Sequence, residues 1–159
     1  MNQLALASRE HPPVALLHKT ETFVTLYIGK QIFGIPVSLT RDILVPKQIF
    51  RIPLARHEVA GSVNLRGRIV TVINMHARLG LTGSVDFGNK GRRCVTVEYK
   101  DELYSLLIDR IGDIMELSET LFEPIPSTLK QGWKDISKGV FRLEGEILVV
   151  LDIERFLDI

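Results

Sequence analysis

The sequence predicts a mainly β protein made of two related halves, each curled into a small closed or partly closed barrel. Three observations carry this. Short runs rich in β-branched and aromatic residues recur along the chain, separated by glycine-containing turns. The chain also matches itself. A shift of 78 lays residues 61–69 over 139–147 and Asn74 over Asp152; a shift of 71 lays Thr25 over Thr96, Phe33 over Tyr104 and Asp42-Ile43 over Asp113-Ile114. Finally, strands this short have one face to bury and edges to protect, and small barrels do both. Two barrels side by side bury a further apolar layer between them, so one cooperative unit is expected. The change of shift puts an insertion in the second half, between Met115 and Gly139.

The elements follow in order. Residues 1–20 show no clean period, and His11-Pro12-Pro13 breaks any helix begun at Leu4, so a flexible N-terminal tail is expected. Residues 23–28 and 31–35 read as a hairpin around Gly29-Lys30, ended by Pro36. Residues 37–45 read as a short amphipathic helix stopped by Pro46, and residues 48–52 as a third strand. Residues 62–65 and 68–73 form a hairpin around Arg66-Gly67. A short helix from Met75 follows, with Gly80 as its C-terminal stop. Residues 82–91 are loop by composition and divide the chain into halves 21–81 and 92–159. Strands are expected at 93–99, 103–108 and 111–117, with Lys100-Asp101 turning between the first two. Ser118 caps a helical turn, and Pro124 and Pro126 force an extended segment. A last hairpin, 139–143 with 146–151, turns over Glu144-Gly145, and a helix over 153–159 closes the chain.

Composition excludes little and supports an ordinary globular protein. The 159 residues are 45% hydrophobic and 25% charged, and the net charge of +1 gives no overall bias toward nucleic acid or a membrane surface. The single cysteine, Cys94, excludes an internal disulfide. It lies in an apolar run and reads as a small buried hydrophobe, which fits a reducing, cytoplasmic setting. No apolar run reaches the ~20 residues of a membrane span. The apolar stretch at residues 4–7 is too short for a secretory signal.

Chemistry-bearing patterns are sparse. His11, His18, His57 and His76 are scattered, so no metal site is expected, and His76 reads as a surface histidine. No phosphate-cradling glycine loop and no nucleophile motif occur, so no catalytic residue and no cofactor are assigned. The carboxylates Asp109, Asp113, Asp152 and Glu154 read as turn chemistry and local ion pairs. Arg66 differs. A hairpin tip projects its side chain away from the core, and the guanidinium fork suits a partner's carboxylates and amides. The repeat puts Glu144 at the equivalent place, so the fold needs something polar there but not arginine.

With these residues in view, the chain resembles the CheW-like domain family, the coupling proteins of bacterial chemotaxis. Residues 63–73, Val-Asn-Leu-Arg-Gly-x-Ile-Val-x-Val-Ile, resemble its N-L-R-G hallmark. Phe33-Gly34-Ile35 with Asp42-Ile43, then residues 106–114, then residues 139–151, resemble three further family segments in the expected order, and the likeness covers residues 21–159. The resemblance implies two SH3-like five-stranded β-barrel subdomains packed together, with short helices including a C-terminal one. It implies no catalysis. It implies an adaptor that bridges the cytoplasmic tip of methyl-accepting chemoreceptors to the regulatory domain of a CheA-type histidine kinase, and that meets other CheW-like domains in receptor arrays. It puts the receptor helix hairpin in an apolar groove near Asn64, Arg66 and Gly67, and the kinase toward Thr40, Asp42 and Leu44. An adaptor of another chemosensory route, serving pilus motility or second-messenger control, and a small β-barrel ligand binder are the alternatives. The chain departs from the family at Thr71 and at Ile73-Asn74-Met75-His76. There Asn74 replaces an aspartate, keeping a helix cap but losing a charge.

Overall fold

The computed structural model describes residues 19–81 and 93–159. Of the expected tail, only Lys19 and Thr20 are described, and Thr20 already opens the first strand; the rest of the tail and the expected loop at 82–91 lie outside the described residues. Among the described residues, eleven strands and three short α-helices follow in order: β1 (Thr20–Ile28), β2 (Gln31–Pro36), β3 (Thr40–Leu44), β4 (Val59–Leu65), β5 (Arg68–Asn74), α1 (Met75–Arg78), β6 (Arg93–Tyr99), β7 (Glu102–Ile108), β8 (Arg110–Ser118), β9 (Phe122–Glu123), α2 (Gln131–Lys134), β10 (Ser137–Leu143), β11 (Glu146–Leu151) and α3 (Ile153–Leu157).

The strands form two open sheets, not closed five-stranded barrels. One is β8-β1-β2-β11-β10-β9, the other β3-β6-β7-β5-β4. Each sheet draws strands from both halves. β3 leaves the first half to pair with β6, and β8 leaves the second to pair with β1. The exchange obeys the repeat. The parallel contact of β2 with β11 joins Phe33 to Val149, and that of β7 with β5 joins Tyr104 to Thr71, which are the same pair of positions under the two shifts. This exchange also explains two departures from the sequence reading. Residues 37–45 are a 3-10 turn at Val37–Leu39 followed by strand β3, because the ladder to β6 satisfies the backbone that an isolated helix would have satisfied locally. Residues 48–52 form no strand; Pro46 and Pro53 bracket them, and only Phe50 bridges to Ser62, with two bonds of 2.8 Å. The insertion holds β9 and α2, neither of them expected.

Strands buried on both faces give three cores. Leu26, Phe33 and Ile35 from one sheet meet Ile73, Val95, Val97 and Leu106 from the other, with Ile153 and Phe156 of α3 closing the layer. Phe23, Ile32, Phe141, Leu148 and Val150 fill the far side of the first sheet. Val63, Val70, Val72, Cys94 and Leu107 fill the far side of the second. Cys94 is thus the buried hydrophobe expected, and the further apolar layer exists, between two sheets that each mix the halves. Trp133 of α2 pins the layer's rim: its ring lies 5.6 Å from Phe33, and its indole N–H donates to the Leu79 carbonyl at 3.0 Å.

Candidate binding surface

Strands β4 and β5 form a two-residue hairpin whose tip is Arg66-Gly67. Both tip residues have positive φ, +52° and +83°, the primed turn that matches strand twist. Such a turn favours Asn-Gly or Gly-Gly; arginine in this region costs about 1 kcal/mol. Asn64 stiffens the tip, its side-chain oxygen accepting the Gly67 N–H at 2.9 Å. The Arg66 side chain is 85% exposed, and its Nη2 lies 3.5 Å from Oδ2 of Asp42 on β3. β3 and β4 are opposite edges of a five-stranded sheet, so this contact requires the sheet to curl until its edges meet. Leu44 of β3 packs on the same core as Val63 and Leu65 of β4, as that curl demands.

The structure therefore joins most of the two residue groups that the family resemblance assigns to separate partners. Asp42 meets Arg66. Leu44 and Asn64 line one groove of about 370 Å³ with Val45, Phe50 and Val63. This groove opens between the edges of one sheet, while the space between the two sheets is filled by core. Asp42 is held in place, its Oδ1 accepting the Ile43 N–H at 2.9 Å. Thr40 stands apart, its hydroxyl donating to the Pro36 carbonyl at 3.2 Å. Val45 and Phe50 of the groove are exposed hydrophobics, as are Ile43 on β3 and Ile69 on β5. Ile69 was legible in principle. It pairs with Asn64, whose outward direction the turn already implies. Phe50 was not, because its environment depends on the bridge to Ser62.

The other chemistry-bearing residues serve the fold. His76 is buried, contrary to the surface reading. Its Nε2 lies 2.8 Å from Oδ1 of Asp109, whose Oδ2 accepts the Gly29 N–H at 2.5 Å. Asp109 thus ties α1 to the β1–β2 turn across the two sheets. Asn74 caps α1 as its chemistry predicts, accepting from the N–H groups of His76 and Ala77. Asp152 caps α3 through the Arg155 N–H at 3.2 Å. An open concavity of about 590 Å³ lies beside it, lined by Tyr99, Lys100, Glu154 and Arg155. Hydrogen bonding to Tyr99 raises the Lys100 pKa, and hydrogen bonding to Glu102 raises that of the Tyr104 phenol. Among the described residues no group of three or more His, Cys, Asp or Glu is placed to hold a metal ion, and no helix is long and apolar enough to cross a membrane.

Comparison with known proteins follows the same lines. The family model described as CheW-like domain matches residues 22–159. The chain is 28% identical over 131 residues to the chemotaxis protein CheW of Thermotoga maritima, covering 82% of this chain and 83% of that one. It is 26% identical over 135 residues to the chemotaxis protein CheW of Helicobacter pylori, covering 85% and 80%. Its fold is similar to the crystal structure of the scaffolding protein TtCheW from Thermoanaerobacter tengcongensis, with a TM-score of 0.78, 19% identity, and coverage of 89% of this chain and 94% of that one.

Proposed function

The chain belongs to the CheW-like domain family, and we propose that it acts as a non-enzymatic adaptor coupling chemoreceptors to a CheA-type histidine kinase in chemotaxis. The observation that carries this reading is the family match across residues 22–159, which takes in both sheets and all three cores. The protein works in the cytoplasm and is recruited to membrane-associated receptor arrays. Its partners are the helix hairpin at the receptor's cytoplasmic tip and the kinase's own CheW-like regulatory domain.

Asn64, Arg66 and Gly67 face the receptor, and Thr40, Asp42 and Leu44 face the kinase. Three features support the receptor role of the tip. The tip is stiffened by Asn64, so Arg66 is offered in one direction at little further entropic cost. The exposed ion pair with Asp42 contributes ~0–1 kcal/mol, so a receptor carboxylate competes for the guanidinium with little penalty. Exposed Ile43, Val45, Phe50 and Ile69 supply apolar contact, and the charges set orientation and partner choice.

Size-exclusion chromatography of the full chain with a receptor cytoplasmic-tip fragment and a kinase regulatory fragment tests the reading. Co-elution of all three is expected; three separate peaks would remove it.

A further inference from the structure

The groove of about 370 Å³ in the second sheet has a counterpart in the first. Val63 lines the groove, and Phe141, its partner under the shift of 78, lines a hollow of about 360 Å³. The two are furnished differently. The groove holds one aromatic ring, Phe50, one cation, Lys47, and no carboxylate. The hollow is walled by three rings, Phe23 of β1, Phe122 of β9 and Phe141 of β10, with exposed Glu21, Glu119 and Lys138 at its mouth.

The Phe141 ring lies 5.5 Å from that of Phe23 at 62°, and 5.3 Å from that of Phe122 at 55°. Rings at such angles make the walls of a box, not a stack. Gly139 leaves room for one wall, since a Cβ there would stand 2.3 Å from Cζ of Phe122. The charges at the mouth are unpaired. Nearby, Glu116 accepts the Thr20 hydroxyl at 2.7 Å and Glu123 pairs with Arg142 at 2.8 Å. Glu21 and Glu119, by contrast, form no ion pair among the described residues, with Lys138 or with any other cation.

A mostly apolar space of this size, with a few polar groups at one end, suits a small molecule. Aromatic walls attract a cation through the ring quadrupole, and two carboxylates against one lysine leave the mouth negative. We propose that the hollow binds a small organic ammonium ion, its aryl or alkyl body against the three rings and its ammonium group between Glu21 and Glu119. Lys138 is the one group at the mouth that favours an anion, so the sign of the bound charge decides the matter. The site uses neither the tip at Arg66 nor the edge at Asp42, and so it stands or falls apart from the receptor and kinase assignments.

Isothermal titration of the purified full chain with phenethylammonium tests this without any receptor or kinase, and phenylacetate serves as an anion of similar shape. Phenethylammonium is expected to bind saturably at one site, about tenfold tighter than phenylacetate, and more weakly as salt rises. Nuclear magnetic resonance of ring-labelled phenylalanine locates it: the Phe23, Phe122 and Phe141 signals should shift while Phe50, in the groove of the other sheet, stays still. Glu21→Gln and Glu119→Gln each change an exposed side chain, and each is expected to weaken binding about threefold with an unchanged thermal melt. Glu144→Gln, at the tip of the second hairpin, should leave binding as it was. No saturable binding, equal affinity for the two probes, shifts at Phe50 instead, or unchanged affinity in either of the first two variants would each overturn the proposal. So would an affinity that falls as the protein is concentrated, because a second copy of the chain would then be the occupant.

Discussion

The hairpins β4–β5 and β10–β11 are the same device used twice. Each has a register break at its entry, between Val59 and Gly61 in one and between Ser137 and Gly139 in the other. Each runs into a short helix with a side-chain cap, from Asn74, the last residue of β5, or from Asp152, the residue after β11. They part at the tip. Arg66 and Gly67 are both at positive φ, whereas at the second tip Gly145 is at +76° and Glu144 is not among the residues at positive φ. Asn64 braces the first tip, but its counterpart Arg142 turns aside to pair with Glu123 at 2.8 Å. A shared frame with different tips separates what the fold requires from what binding requires.

The largest effect should fall on the shared frame. A Cβ on Gly61 would lie 2.2 Å from the Phe50 carbonyl oxygen, and its φ of +148° disfavours any side chain. Gly61→Ala is expected to cost about 3 kcal/mol in urea unfolding. A Cβ on Gly139 would meet the Phe122 ring at 2.3 Å and the Glu123 carbonyl oxygen at 2.6 Å. The ring has room to swing but the backbone does not, so Gly139→Ala should cost somewhat less, about 2 kcal/mol. If either change is neutral, the register breaks are not the matched constraint described here. The helix caps come next. Asn74→Ala and Asp152→Ala should each lower stability by about 1 kcal/mol, with Asn74 the larger because its oxygen accepts from two N–H groups. The smallest effect is the most telling. Arg66→Gly relieves a left-handed arginine and should raise stability by about 0.5 kcal/mol, while Glu144→Gly should gain nothing. A stabilising change at a wild-type arginine would mean that the residue is kept for something other than folding.

Much of the frame was legible in the sequence because it is local. Both hairpins, the β6–β7 turn at Lys100-Asp101, the cap at Asn74 and the stop at Gly80 each follow from a few adjacent residues, and each is present. The repeat was legible too, since it is a property of the string. What was not legible depends on contacts between the halves. β3 looks helical until β6 is beside it, and His76 looks exposed until Asp109 arrives from the β7–β8 junction. The candidate site shows the same division. Arg66 stands out as a tip residue from its neighbours alone. Its contact with Asp42 required the curl of a whole sheet, and so two residue groups assigned to different partners proved to adjoin.

The central claim is that binding resides in the tip of the first hairpin and not in the architecture that both hairpins share. The direct measurement is the affinity of a receptor cytoplasmic-tip fragment for Arg66→Glu and for the mirror change Glu144→Arg, with a thermal melt of each. The account predicts that Arg66→Glu weakens receptor binding by roughly tenfold or more, about 1.4 kcal/mol, while Glu144→Arg leaves it unchanged and both proteins melt as the wild type does. Equal losses at the two tips, or none at Arg66, would contradict it.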